Sequence, residues 1–201
     1  MSTGRAEAFS DGVFAIAITL LILIIRVPGG GSLGHELARL WPSYAAYAIS
    51  FLTIGIIWVN HHAMFRNFER VDRTMLFLNV FFLMVVAFIP FPTEVVAEHV
   101  RASGDRRAAA LLYGITLTLM AVMFLLTWLY GSRRLLRDDA DMREVSGITR
   151  SYLPGTPTYA AATLLAFLSP IASLIAFGLI ALFYVLSSSL FGKDADRSLA
   201  D

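Results

Sequence analysis

The chain has 201 residues, 57% of them hydrophobic and only 15% charged, with a mean hydropathy of +0.69. A soluble domain is nearer ~25% charged and ~45–50% apolar, and here the apolar residues gather into long blocks, so the chain reads as an integral membrane protein. A net charge of +1 gives no case for nucleic-acid binding, and the absence of cysteine removes disulfides, thiolate metal sites and a cysteine nucleophile.

A membrane span needs about 20 mostly apolar residues. The first block runs from about Ala8 to Val27, with Pro28 and Gly29-Gly30-Gly31 ending it. Its short basic start also suits a cleaved signal peptide, but Asp11 at the mouth of the apolar core and the spans that follow argue against that reading. A short amphipathic stretch, Leu33 to Leu40, leads to the second span, Trp41 to Phe65, with Trp41 and Tyr44 suited to the lipid–water interface. Arg66 to Arg73 is a polar, turn-sized linker. The third span, Met75 to Thr93, should be broken or kinked by Pro90 and Pro92, and Glu94 to Arg107 reads as polar linker. The fourth span covers Ala108 to Tyr130. The charged run Arg133 to Arg150 reads as a solvated loop.

Tyr152 to Phe191 is apolar, with breaks at Pro154, Pro157 and Ser169-Pro170. As one helix it would be about 60 Å long, twice the ~30 Å hydrocarbon core. Two spans, 152–169 and 171–191, with a tight turn between them fit better, the fifth being short or starting early. The expected fold is therefore all-α, with six membrane-crossing helices in one domain over 1–201 and no internal repeat. Placing the N-terminus in the cytoplasm puts Arg5, Arg66, Arg70, Arg73, Arg133, Arg134, Arg137, Arg143, Arg150, Lys193 and Arg197 inside, against Arg26, Arg39, Arg101, Arg106 and Arg107 outside. That excess favours both termini inside.

In the first span, Gly12, Ile16, Thr19, Leu23 and Arg26 fall on one helix face. In a symmetric assembly this face makes rings: apolar rings close a pore by expelling water, and a hydroxyl ring replaces part of an ion's hydration. Against this stands the habit of a membrane threonine, whose hydroxyl bonds back to the carbonyl four residues earlier, here Ala15. At the inner end, Arg5, Ser10 and Asp11 begin span one, Trp58, His61 and His62 end span two, and Asn79 begins span three. A carboxylate at that depth needs a partner, which Arg5, His62 or the Trp58 indole could supply. One reading is a hydrogen-bonded hub that fixes the first helix. The other is that Ser10 and Asp11 cap a helix end and the histidines meet water.

Adjacent histidines on a helix point about 100° apart, poor geometry for chelating one ion, and neither H-E-x-x-H nor G-x-S-x-G occurs. Neither a resident metal, a cofactor nor an enzymatic activity is therefore expected.

Arg5, three residues, then Phe9-Ser10-Asp11, with Thr19 eight residues after the Asp, resembles the signature of the transmembrane protein 175 family of lysosomal potassium channels and their bacterial relatives. Trp58 with His61-His62, Asn79 and Pro90-Phe91-Pro92 extend the resemblance over the first three spans. It implies a potassium-preferring cation channel in a bacterial inner membrane, a homotetramer with the first helix of each subunit lining the pore. Ile16 and Leu23 would be constrictions, Thr19 the selectivity hydroxyl, and Arg5, Phe9, Ser10, Asp11, Trp58, His62 and Asn79 a structural hub. Where one animal repeat has Ser, this chain has Ala15, so one hydroxyl layer is missing and a leakier filter is implied. The implied partners are further copies of the chain, permeant potassium and other monovalent cations, and lipid. The competing reading is a proton-linked carrier or proton path through Asp11 and His62.

Overall fold

A computed structural model describes residues 3–27, 29, 31–101 and 104–197, with side chains up to residue 186. Its regular elements are helical: α1 (Thr3–Leu20, continued as a 3-10 turn over Leu21–Ile24), α2 (Leu33–Arg39), α3 (Trp41–Arg66), α4 (Arg73–Phe88), α5 (Pro90–His99), α6 (Arg106–Arg134), α7 (Met142–Tyr152), α8 (Gly155–Leu164, continued as a 3-10 turn to Phe167) and α9 (Pro170–Arg197). Among the described residues, Thr3–Ile24, Trp41–Arg66, Arg73–His99 and Arg106–Arg134 are long and apolar enough to cross a membrane, and Pro170–Leu186 is a shorter apolar helix.

The first helix starts at Thr3, more than a turn earlier than expected, because residues 3–7 can extend it into water at little cost. Ser10 and Asp11 therefore lie inside the helix, and neither caps it. At its other end the 3-10 turn gives way at Ile25, which is extended at φ −89°, ψ 92°. Pro28 and Gly30, expected to break this helix, lie outside the described residues, and Gly31 takes the left-handed φ of +80° that glycine tolerates.

Pro90 interrupts the third apolar segment without ending it. Ile89 keeps helical angles (φ −53°, ψ −40°) between α4 and α5, and its N–H bonds the Val86 carbonyl at 3.1 Å. Proline is tolerated in the first turn of α5, where its missing N–H is no loss. Helix thus continues to His99, and Glu94 and Glu98 are helical rather than linker residues. At the other end of α4, Asp72 is the N-cap, accepting the Met75 N–H at 2.8 Å and the Tyr130 hydroxyl at 2.5 Å. Burial pushes the Asp72 carboxyl up, but hydrogen bonds from Met75, Tyr130 and Thr74, with Arg134 nearby, outweigh it and hold the group below the usual carboxylate range.

The run expected to be a solvated loop contains a helix. Asp141 caps α7 by accepting the Arg143 N–H at 2.8 Å, and α7 turns Val145 inward while its charged residues stay exposed. The bend expected at Ser169-Pro170 is present: α8 and its 3-10 turn end before Ser169, whose hydroxyl accepts the Ala172 N–H at 3.3 Å as α9 begins. Gly155 to Phe167 would rise only about 20 Å, short of a full crossing.

Helix α6 is the centre of the bundle, packing against α4, α5, α8 and α9, while α1 packs on α3 and α4. Its buried side includes Tyr113, Leu117, Met120, Phe124 and Trp128. Near its end Gly131 lets the α3–α4 loop close in. A Cβ there would overlap the Phe68 ring and lie 2.7 Å from Met75 Cε, and Phe68 is itself buried against Trp128. Gly131→Ala is therefore expected to destabilise the protein by about 1–3 kcal/mol, an overpacking cost. A thermal midpoint equal to wild type in detergent would show that the loop can yield.

Candidate functional site

Helix α1 presents two faces of opposite chemistry. Ala6, Ser10, Phe14, Ala17, Leu21 and Ile24 are buried against the protomer. The other face carries Phe9, Gly12, Ala15, Ile16, Thr19 and Leu23, with Ile16 61% and Leu23 68% exposed. Exposed faces elsewhere are bulkier: α4 shows Phe77, Val80, Phe81, Met84 and Phe88. Such a face suits acyl chains, whereas the small residues of α1 suit close approach of another helix. Thr19 does bond back to its own helix, but to Ile16 rather than Ala15: its hydroxyl donates to the Ile16 carbonyl at 2.9 Å. With the proton turned inward, the oxygen lone pairs remain available on the exposed face.

The polar residues at the opposite end of α1 from Arg26 form two linked layers. On the surface, the Trp58 indole N–H donates to Asp11 Oδ1 at 2.8 Å, tying α3 to α1. Beneath it lies a buried chain across three helices. Asn79 Nδ2 on α4 donates to Ser10 Oγ at 2.9 Å, and Ser10 donates to the Ala6 carbonyl at 2.8 Å. Asn79 Oδ1 is 2.9 Å from His61 Nε2 on α3. An amide oxygen only accepts, so His61 is assigned its proton on Nε2. Its ring sits among Phe14 at 5.5 Å, Phe65 at 4.5 Å and Phe82 at 5.6 Å between centroids.

Of the expected hub residues, the structure thus joins Ser10 with Asn79 and Asp11 with Trp58. It leaves Arg5, Phe9 and His62 exposed and outside this buried chain. His62 instead faces Glu7, Nδ1 to Oε1 3.6 Å. The buried histidine is His61, which sequence reasoning weighed as a metal or catalytic candidate and as one of two histidines meeting water at the inner end. In the structure Ile54, Ile57, His61, Met64 and Phe65 share the buried face of α3, but α3 is apolar nearly all round, so spacing alone does not single out His61. The bond from His61 to Asn79 ties α3 to α4, a donor with its acceptor in place.

At the far end of α1, Arg26 Nη2 lies 2.5 Å from Glu94 Oε1 and 3.0 Å from Glu98 Oε1, both on α5. These partners were not expected, because Glu94 and Glu98 were read as linker.

The chain is similar in sequence and in fold to known channels. A family model described as "Endosomal/lysosomal potassium channel TMEM175" matches residues 5–90, the span from the first arginine to Pro90. The chain is 46% identical over 187 residues to a potassium channel of Streptomyces collinus, covering 90% of this chain and 91% of that one. It superposes with a TM-score of 0.85 on the crystal structure of a lysosomal potassium-selective channel TMEM175 homologue from Chamaesiphon minutus, at 39% identity, over 92% of this chain and 97% of the other. An endosomal/lysosomal proton channel TMEM175 of Danio rerio is 32% identical over 139 residues, 64% of this chain and 27% of its own length.

Proposed function

The chain belongs to the TMEM175 family, and from that membership we propose that it is a potassium-preferring cation channel, conducting passively through a homotetrameric pore lined by α1. The observation that carries the proposal is the free face of α1: a stripe of small and aliphatic residues with one hydroxyl, turned away from its own protomer. Four such helices around an axis stack a ring of Ile16, a ring of Thr19 and a ring of Leu23. The apolar rings act as constrictions where water is expelled, and the Thr19 oxygens contact the partly dehydrated ion. The bonds of Ser10, Asp11, Trp58, His61 and Asn79 support a structural role at the inner end, holding α1 at a fixed rotation so that the stripe meets the axis. Arg5, Phe9 and His62 would complete that role through surface contacts. In this reading 1–201 is one channel domain of a bacterial inner membrane, with α8 and α9 as the fifth and sixth membrane segments. Both termini are cytoplasmic, as the concentration of arginine at that end of the bundle favours. Potassium is its cargo, and no resident cofactor takes part.

The test is planar-bilayer recording of the purified protein under bi-ionic potassium and sodium. Single-channel steps with a potassium-favouring reversal potential are expected, and silence or sodium preference would sink the reading. Thr19→Ala should move the permeability ratio toward unity, by roughly five-fold if the hydroxyl contact is worth about 1 kcal/mol. An unchanged reversal potential would remove Thr19 from the filter.

A second reading, a proton path through Asp11 and His62, draws on the vertebrate relative's name and on the Asp11, Glu7 and His62 side chains near the inner mouth. It predicts a reversal potential that follows a pH gradient at symmetrical potassium, and losses in Asp11→Asn and His62→Gln.

A further inference from the structure

The ion-pair cluster at the outer end of α1 is not absorbed by the filter or by the inner polar network. Arg26 follows the 3-10 turn that closes α1, and that turn packs on α5. Its guanidinium is held by Glu94 and Glu98, one helical turn apart on α5. All three side chains are well exposed, at 66%, 38% and 46%, and exposed ion pairs add little to stability. Their position, however, has an electrostatic consequence. An arginine at the end of each pore helix would surround a cation pathway with positive charge. Two carboxylates against one guanidinium reverse the sign and leave one excess negative charge per protomer. Of the other basic residues on this face, Arg39 lies 3.4 Å from Glu36, while Arg101, 5.6 Å over the Trp41 ring, Arg106, donating to the Val100 carbonyl, and Arg107 keep their charge, so the negative excess is local to the end of α1.

We propose that Glu94 and Glu98 set the throughput of the channel by cancelling Arg26 and concentrating cations at the outer mouth. The inference rests on α1 lining the pore. The mechanism is long-range: charges outside the narrow part raise the local concentration of any monovalent cation and cannot separate potassium from sodium. It needs no direct ion ligation by the carboxylates. It is also screened by salt, since the Debye length falls from about 30 Å at ~0.01 M to about 3 Å at ~1 M.

Those two properties define the experiment. Single-channel conductance of wild type, Glu94→Gln/Glu98→Gln and Arg26→Gln is measured in bilayers at ~0.02 M and ~1 M KCl, with the potassium-to-sodium permeability ratio alongside. The double variant should lose about two-fold or more of its conductance at low salt and match wild type at high salt. Arg26→Gln should gain conductance at low salt, and neither variant should change the permeability ratio. Equal conductances at low salt, or a loss that persists undiminished at high salt, overturn the proposal. Arg26→Gln also guards against misfolding, since a gain in current cannot come from damaged protein. If wild type itself passes no potassium current, it is the channel reading that fails; if wild type conducts and the variants show no salt-dependent difference, only this inference does.

Discussion

Asn79→Leu should be among the most damaging single changes to the fold, lowering the thermal midpoint by about 2–12 °C and loosening assembly. Leucine has asparagine's branching and heavy-atom count, so no cavity forms and the chief loss is the hydrogen bonds. Asn79 is 2% exposed and joins α4 to both α1 and α3. Without it Ser10 keeps its bond to the Ala6 carbonyl and loses only an accepted proton. His61 fares worse. It is 1% exposed, walled by Phe14, Phe65 and Phe82, and its Nε2 proton would have no acceptor. An orphaned buried donor costs about 1–3 kcal/mol, and at this chain length each kcal/mol moves the midpoint by about 2–4 °C. Interhelical hydrogen bonds in membrane proteins are often weaker, averaging about 0.6 kcal/mol, so the rescue decides the cause. Asn79→Leu/His61→Phe removes both partners and puts a fourth ring among three, and it should recover most of the loss. The reading is a thermal scan with size-exclusion chromatography of wild type and both variants. A single variant as stable as wild type, or a double variant no better than the single, would show that the buried chain does not hold the helices.

Hydropathy alone exposed four long helices, because in lipid every backbone polar group must be satisfied within the segment and length follows from bilayer thickness. The bend at Ser169-Pro170 was legible for the same reason: one helix would have been too long. The rotation of α3 was not legible. Its residues are apolar nearly all round, so neither side of the helix declares itself, and the choice between adjacent histidines about 100° apart turns on that rotation. Trp58 with Asp11 was accessible, since an indole N–H only donates and a carboxylate at that depth needs a donor. For α7 the signal was present but read as charge: Val145, Ile148 and Tyr152 recur at helical spacing inside a polar run. Glu94 and Glu98 were assigned to a linker because Pro90 and Pro92 look like a stop, yet a proline in a first turn opens a helix as readily as it ends one.

Ile16→Asn should give the largest functional change, a rise in basal potassium current of about ten-fold or more. In the proposed pore the barrier at Ile16 is the cost of water in an aliphatic ring. Carboxamides supply donors and acceptors to that water, and lowering the barrier by only about 1.4 kcal/mol raises the rate ten-fold. A polar amide transferred from water to an apolar site without partners loses about 2–7 kcal/mol, which indicates how strongly four amides would hold water there. The residue is 61% exposed in the protomer and packs no core, so the substitution should leave the fold intact. The same exposure makes the experiment decisive about where the stripe points. Facing lipid, four unpartnered amides would destabilise the protein and leave conduction alone. Facing the axis, they would open it. Leu23→Asn, about two turns further along the stripe, should act in the same direction, and Phe81→Asn on the bulky face of α4 should cost stability without current. Macroscopic potassium flux into liposomes at matched protein density separates these outcomes. Lost thermal stability with unchanged flux in Ile16→Asn would turn the α1 stripe away from the pore.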